Sequence, residues 1–233
     1  MIKKKGIIVA IDGPAGAGKS TTARLLAEKL NYDYIDTGAM YRAVTLFALR
    51  NDIKHTETEQ LVKLVSSLNF EFKNNGTEIF VNSENVSEQI RSAEVSSKVS
   101  DYSKIAEVRE ILIQKQYEIG EHGGIVMEGR DITTAVFPNA ELKIFLTADL
   151  DVRAYRRLIE MRNKGQKIDL ENVRNNLETR DKIDSSRDVN PLMITEDSII
   201  IDTTKLTVDQ QVEIIYNKAK EIIKSLNLHS HHN

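Results

Sequence analysis

The stretch Ile7-Ile8-Val9-Ala10-Ile11-Asp12-Gly13-Pro14-Ala15-Gly16-Ala17-Gly18-Lys19-Ser20-Thr21 decides the fold. Its apolar burst reads as a buried strand, Gly13 to Ser20 fit the pattern G-x-x-x-x-G-K-[ST], and a helical period runs from Lys19 to Leu30. Phosphate oxygens need several donors converging on a small volume. Glycines let backbone N–H groups approach without Cβ obstruction, and the helix start adds free N–H groups and the positive end of its dipole. The expected phosphate cradle is Gly13, Pro14, Ala15, Gly16, Ala17, Gly18, Lys19, Ser20 and Thr21, with Lys19 reaching the β- and γ-phosphates and the Ser20 hydroxyl ligating magnesium. The bland alternative, a chance Gly-rich turn, is disfavoured by the strand and helix on either side.

Outward from this unit, apolar bursts alternate with longer helical stretches, which predicts an α/β fold with a parallel sheet. Further strands are expected at Tyr34-Ile35, Gly124–Met127, Leu142–Leu146 and Ser198–Ile201. Helices are expected at Ala39–Leu49, Glu57–Leu68, Val108–Ile119, Leu150–Lys164, Leu170–Asp181 and Val208–Leu226. One region breaks the rhythm: Phe70, Phe72, Ile79 and Val81 alternate with polar residues around Asn74-Asn75-Gly76, the pattern of a half-buried antiparallel hairpin. It reads as an insertion over about 61–104. The tail, 227–233, carries His229, His231 and His232 and is expected to be disordered, with a metal-binding tract as the alternative.

The sequence has 233 residues, 40 % of them hydrophobic, enough for one compact core. With 32 Lys and Arg against 35 Asp and Glu, the net charge of -3 exerts no bulk pull on nucleic acid or anionic membrane, so an anionic ligand needs a local site. The absence of Cys excludes disulfides, thiolate nucleophiles and Cys-based metal sites and fits a reducing compartment. The basic start, Met1–Lys5, is followed by an apolar run of only five residues, Ile7–Ile11, too short for a signal peptide core or a membrane span. A cytoplasmic protein is expected, and with no evident exposed heptad, a monomer.

The motifs beyond the phosphate loop separate a switch from an enzyme. N-K-x-D and a D-x-x-G after the second strand, both expected of a regulatory GTPase, are missing. A phosphotransferase for a small acceptor needs a second anion site and cations that close over the transferring group. Asp36-Thr37-Gly38-Ala39-Met40-Tyr41-Arg42 offers a helix start with a nearby Arg, or else an ordinary capped helix. Glu128-Gly129-Arg130-Asp131 ends a strand, at the edge where open α/β sheets bind ligands; a loop ion pair between Arg130 and Asp131 is the alternative. Arg153, Arg156 and Arg157 share one helix face, as a solvated basic face also would. The run Arg180-Asp181-Lys182-Ile183-Asp184-Ser185-Ser186-Arg187 suits phosphate and ribose hydroxyls, or is a charged loop. His55 and His122 lie outside every motif and read as surface positions.

Taken in order, IDGPAGAGKST, DTGAMYR, VREILIQKQ, EGRDITTAVFP, RAYRR, RDKIDSSR and DTT resemble the bacterial cytidylate kinase family, from Ile8 to about Ile223. The resemblance implies transfer of the ATP γ-phosphoryl group to CMP or dCMP, with magnesium. It implies one kinase domain with a core (1–60, 105–149, 182–226), an acceptor-binding insertion (about 61–104) and a helical lid (about 150–181). It assigns the acceptor phosphate to Arg42, Arg130 and Arg187 with Thr37, and Tyr41 to the acceptor site. Cytosine falls to Ser100, Arg109 and Asp131, the ribose to Asp184 and Arg180, and ATP phosphates to Arg153 and Arg157. Lys19, Arg130, Arg157 and Arg187 are its catalytic set. Glu128, where the family often has Asp, would hold a magnesium-bound water, and Thr133 stands where the family has Gly.

A nucleoside monophosphate has a second pKa near ~6, so its phosphate is largely a dianion at neutral pH and needs no strong general base. Catalysis then reduces to alignment, charge compensation and exclusion of water under a closing lid. Two other readings stand beside this one: a P-loop kinase for another small acceptor, such as a different nucleoside monophosphate or shikimate, and a noncatalytic nucleotide-dependent binding protein.

Overall fold

The computed structural model describes residues 6–163, 165 and 167–230. Residues 1–5, 164, 166 and 231–233 lie outside the described residues, and with them the basic start, Lys164 and the His231-His232 end of the tail. Strand β1 (Ile8–Asp12) is buried along its whole length, as a central strand with cover on both faces must be. Its alternation splits the core: Val9 and Ile11 face a layer that includes Leu26 and Ile215, whereas Ile8 and Ala10 face Ile132, Val136 and Phe137. After β1 come α1 (Lys19–Leu30), β2 (Asp33–Asp36) and α2 (Thr37–Arg50), the last capped by Asp36, which accepts from the Ala39 N–H at 3.0 Å.

The expected insertion begins in α3 (Thr58–Ser67) and continues through β3 (Phe70–Lys73), β4 (Glu78–Val81) and β5 (Glu84–Asn85). β3 and β4 form the antiparallel hairpin, with Phe70 opposite Val81 and Lys73 opposite Glu78. Asn74, Asn75 and Gly76 all take positive φ in its turn. A short 3₁₀ turn, Gln89–Arg91, leads into α4 (Ala93–Ser103), a helix the sequence reading did not contain, and then α5 (Ala106–Gly120). The packed unit is larger than 61–104: one apolar cluster joins Met40 and Val44 of α2, Leu61 and Val65 of α3, Ile79 and Val81 of the hairpin, and Val108 and Leu112 of α5.

The chain then returns to the sheet with β6 (Ile125–Gly129), a π-helical turn at Ile132–Val136, and β7 (Leu142–Thr147). Helices α6 (Leu150–Asn163) and α7 (Leu170–Ser185) pair around Ala154, Leu158, Val173 and Leu177. Asp169 caps α7 by accepting from Asn172 N–H, and the helix runs past the lid boundary expected at residue 181. β8 (Ile199–Asp202) and α8 (Val208–Ser230) complete the chain. The helix continues to Ser230, so residues 227–230 are helical rather than the disordered start of a tail. The expected α/β class holds: five parallel strands in the order β2-β6-β1-β7-β8, with the three-stranded antiparallel sheet apart from them. Asp12, Asp36 and Gly129 end the three adjacent strands β1, β2 and β6, and this aligned carboxyl edge positions the site.

Candidate functional site

A cavity of about 750 Å3 opens at that edge. The phosphate loop lines it through Ala15, Gly16, Gly18, Lys19, Ser20 and Thr21, and Ser100, Ser103, Arg109 and Asp131 line the same cavity. Gly13, Pro14 and Ala17 lie in the loop but do not line the cavity. Nine cationic side chains and five carboxylates line it, a local excess of positive charge in a chain whose net charge is -3. Gly16 and Gly18 take φ of 79° and 94°, backbone that a Cβ would strain. Lys19 is buried, and its ammonium donates to Pro14 O at 3.0 Å. Burial, reinforced by Arg130, lowers Lys19 to about 7, with Glu128, Asp12 and Asp184 opposing the fall.

Below Lys19, Glu128 accepts from the Tyr34 hydroxyl at 3.1 Å. Burial and the neighbouring Asp36 carboxylate raise its pKa, against Lys19, Ser20 and Arg130. These oxygens bear on the expected magnesium. Ser20 is exposed to the cavity, Glu128 lies beside it, and no cluster of three or more His, Asp or Glu exists among the described residues. One hydroxyl and one carboxylate, both hard oxygen donors, fit an ion that keeps several waters and takes its other ligands from phosphates.

The residues expected to hold the acceptor are paired within the protein. Arg42 donates to Asp36 at 2.8 Å and Arg130 to Asp184 at 2.9 Å, while Arg187 Nε donates to Asp184 O at 3.2 Å. Thr37 lines the cavity, and its hydroxyl donates to Glu128 O at 2.8 Å. Arg180 lines the cavity nearby, lowered to about 10 by burial and by Arg130. Arg109, 1 % exposed, bonds Asp131 through Nη2 and Ser103 O through Nη1, and its guanidinium lies 5.5 Å from the centre of the Tyr41 ring. Asp131 therefore pairs with Arg109, not with Arg130 as the loop ion pair would have it. Burial raises the Asp131 carboxyl, with Arg109 and Arg187 pulling it down. The Tyr41 hydroxyl is buried without a partner.

Arg153, Arg156 and Arg157 of α6 diverge instead of sharing a task. Arg157 lines the cavity and donates to Glu160 at 2.6 Å. Arg156 also lines it, although it was left unassigned, and binds Thr203 O and Oγ1. Arg153 does not line the cavity: it lies behind the phosphate loop, donating to Ala148 O and Ala15 O. Its guanidinium is thus held by protein acceptors rather than open to the cavity, where the resemblance implies a contact with ATP phosphates.

Sequence reasoning missed Asp12, whose carboxylate accepts from Ile132 N, Thr133 N and Thr133 Oγ1 at 3.0, 2.8 and 2.7 Å. It thereby ties the end of β1 to the turn that carries Asp131, with Thr133 supplying the hydroxyl bond. It also missed Gln211, which accepts from Thr22 at 2.7 Å across 189 positions and lines the cavity beside Gly18. Asp12 was visible as the polar end of an apolar burst. Nothing local signals Gln211.

A family model described as cytidylate kinase matches residues 9–221. The cytidylate kinase of Caldanaerobacter subterraneus subsp. tengcongensis is 48 % identical over 216 residues, covering 93 % of this chain and 96 % of that one. That of Enterococcus faecalis is 48 % identical over 217 residues, with coverage of 92 % and 96 %. Among solved structures, an uncharacterized protein from Eubacterium ventriosum aligns with a TM-score of 0.51 at 16 % identity, over 93 % of this chain and 99 % of the other, a likeness of fold alone. With a cavity that faces a phosphate loop with a buried Arg–Asp pair, and with relatives matched over nearly their full length, the chain belongs to the cytidylate kinase family.

Proposed function

We propose that the chain transfers the γ-phosphoryl group of ATP to CMP and dCMP, giving ADP and CDP or dCDP. The observation that carries this reading is one cavity lined by both the phosphate loop and the buried Arg109–Asp131 pair. A carboxylate beside a guanidinium complements cytosine, which offers an amino donor at N4 and acceptors at N3 and O2. Ser100 completes that edge, Asp184 and Arg180 take the ribose, and Arg42, Arg130 and Arg187 with Thr37 hold the acceptor phosphate beside Tyr41.

An oxygen of the acceptor phosphate attacks the γ-phosphorus in line as the bond to the β–γ bridging oxygen breaks, and ADP leaves. Lys19 spreads charge on the donor side and Arg130 and Arg187 on the acceptor side, with Arg157 closing from the lid. Ser20 directly, and Glu128 through water, would hold magnesium, which would supply further charge compensation to the phosphates. No described helix is long and apolar enough to cross a membrane. The proposal extends to a cytoplasmic monomer whose insertion, about 61–104, and lid, about 150–181, close over ATP and the acceptor and keep water from replacing it. A coupled ADP-release assay across CMP, dCMP, UMP, AMP, GMP and shikimate tests it. CMP and dCMP should lead by at least tenfold in kcat/KM, and a preference for any other acceptor, or no acceptor-dependent release, refutes it.

A further inference from the structure

Arg153 sits in the first turn of α6, 7 % exposed, and spends its guanidinium on three protein acceptors. Nε donates to Ala148 O at 2.9 Å; Nη1 donates to Ala15 O at 3.0 Å and to Asp181 Oδ2 at 2.6 Å. Ala15 is the tip of the phosphate loop and Asp181 belongs to α7, so one nitrogen bridges the loop and the lid. The bridge is backed by packing, because the Ala15 methyl lies in the apolar cluster of Ala154, Leu158, Val173 and Leu177 that holds α6 on α7. The backbones also touch: a Cβ on Gly16 would lie 3.0 Å from Arg153 Cβ and 3.1 Å from Arg153 O. The chain neighbour of Asp181, Arg180, lines the cavity, whereas Asp181 itself does not.

We propose that Arg153 is a positioning residue, a strut that holds the tip of the phosphate loop against the lid. The loop tip is structurally part of the lid pair, and the lid cannot swing without carrying Ala15 with it. A strut and a phosphate ligand make different predictions. The loop amides contact phosphates present in both ADP and ATP, so a loosened loop weakens both nucleotides alike, while a ligand of the γ-phosphate affects ATP alone. Lys in place of Arg153 keeps the charge and the stem but offers a single nitrogen that cannot reach all three acceptors. The inference rests on the phosphate-donor reading of the loop.

The test is calorimetric titration of ADP and ATP with magnesium on wild type, Arg153→Lys and Asp181→Asn, together with the KM for CMP. Arg153→Lys should weaken ADP and ATP by the same factor, about tenfold for one or two lost hydrogen bonds to buried groups, with the KM for CMP within about twofold of wild type. Asp181→Asn, remote from the cavity lining, should weaken both nucleotides equally as well, and the two losses should fall short of additive in the double variant. It keeps the proposal testable should Arg153→Lys not fold. ATP weakened with ADP unchanged makes Arg153 a γ-phosphate ligand and overturns the strut; unchanged affinities for both nucleotides overturn it too. Equal losses in a chain whose wild type does not phosphorylate CMP refute the kinase reading and leave the strut standing, and a wild type that binds neither nucleotide overturns both.

Discussion

Asp131→Asn tests the base edge of the site most directly. The substitution keeps the shape and an acceptor oxygen, removes the charge, and adds an N–H donor. Asp131 accepts from Arg109 through Oδ2, and both side chains are buried, so on the proposed assignment Arg109 and a cytosine amino group would share one carboxylate. Losing a charge-assisted hydrogen bond to N4 costs about 1.5 to 3 kcal/mol, which lowers kcat/KM for CMP by about ten- to 150-fold. UMP presents O4 as an acceptor at the same place, and the new N–H meets it, so the CMP-to-UMP ratio narrows by at least that order. Arg109 is left buried with a neutral partner and Ser103 O, a penalty of about 2 to 3 kcal/mol that lowers the melting temperature by roughly 5 to 10 °C. Coupled ADP release with both acceptors on the same sample separates the two effects, since the folded fraction cancels in the ratio. Equal losses for CMP and UMP with the ratio unchanged would reduce Asp131 to a support for Arg109 and refute base recognition by this carboxylate.

Lys19→Met should lower turnover on the order of a hundredfold or more while the chain stays folded, because the ammonium points to the loop carbonyl and the phosphates rather than into a core; near-normal turnover removes the loop from the mechanism. Arg130→Ala and Arg187→Ala should each depress kcat as well as raise the KM for CMP, since charge at the acceptor phosphate changes as it attacks; an effect on KM alone would deny them a catalytic role. Burial raises Asp12 from 3.8 to about 6, so between those values the folded chain binds more protons than the unfolded one. Its contribution to stability is full below about pH 4 and lost as pH rises through about 6, roughly 3 kcal/mol in all. Urea unfolding of wild type against Asp12→Asn across that range should show this change, and a constant difference would contradict it. Gly76→Ala should destabilise more than Gly165→Ala in thermal unfolding, because both glycines have positive φ, but a Cβ at Gly76 would lie 2.1 Å from Tyr34 O while Gly165 meets nothing within 4 Å. Equal shifts would show that the hairpin tip is not pressed against β2.

What was legible in the sequence is what is contiguous. The strand, loop and helix around Lys19 follow one another in the chain, so pattern and geometry coincide, and α1 occupies Lys19–Leu30 as expected. The hairpin was readable because Asn74-Asn75-Gly76 supplies the positive φ that its turn requires. Helix α4 was missed because Val95 and Tyr102 are its only fully buried side chains, too few for the 3.6-residue period to stand out among Glu, Ser, Lys and Asp. The site was legible as a set of residue types but not as pairings. Helical spacing put Arg153, Arg156 and Arg157 on one face, and a face this wide still let the three reach Ala15, Thr203 and Glu160, targets on three different segments. Periodicity fixes which side of a helix a residue occupies; the neighbours that meet that side are set by tertiary packing.

Those pairings explain how a basic site is tolerated in an acidic chain. A cluster of buried guanidiniums without counter-charges would repel itself and pay a large desolvation cost, so each needs a carboxylate or carbonyl nearby. Asp36, Asp131, Asp181, Asp184 and Glu160 meet that need for Arg42, Arg109, Arg153, Arg130 and Arg157 respectively. On the proposed assignment, a phosphate dianion entering among Arg42, Arg130 and Arg187 would compete with Asp36 and Asp184 for the same donors, and its net gain would be smaller than the bare charge count implies. The competition favours selectivity. An anion that only neutralises charge would merely replace a carboxylate, whereas a nucleotide placed as proposed would also offer ribose hydroxyls to the displaced Asp184 and an amino group to Asp131. On the proposed assignment, a ligand carrying phosphate, sugar and base gives both Asp184 and Asp131 new donors once the arginines have turned to it, which a bare anion does not.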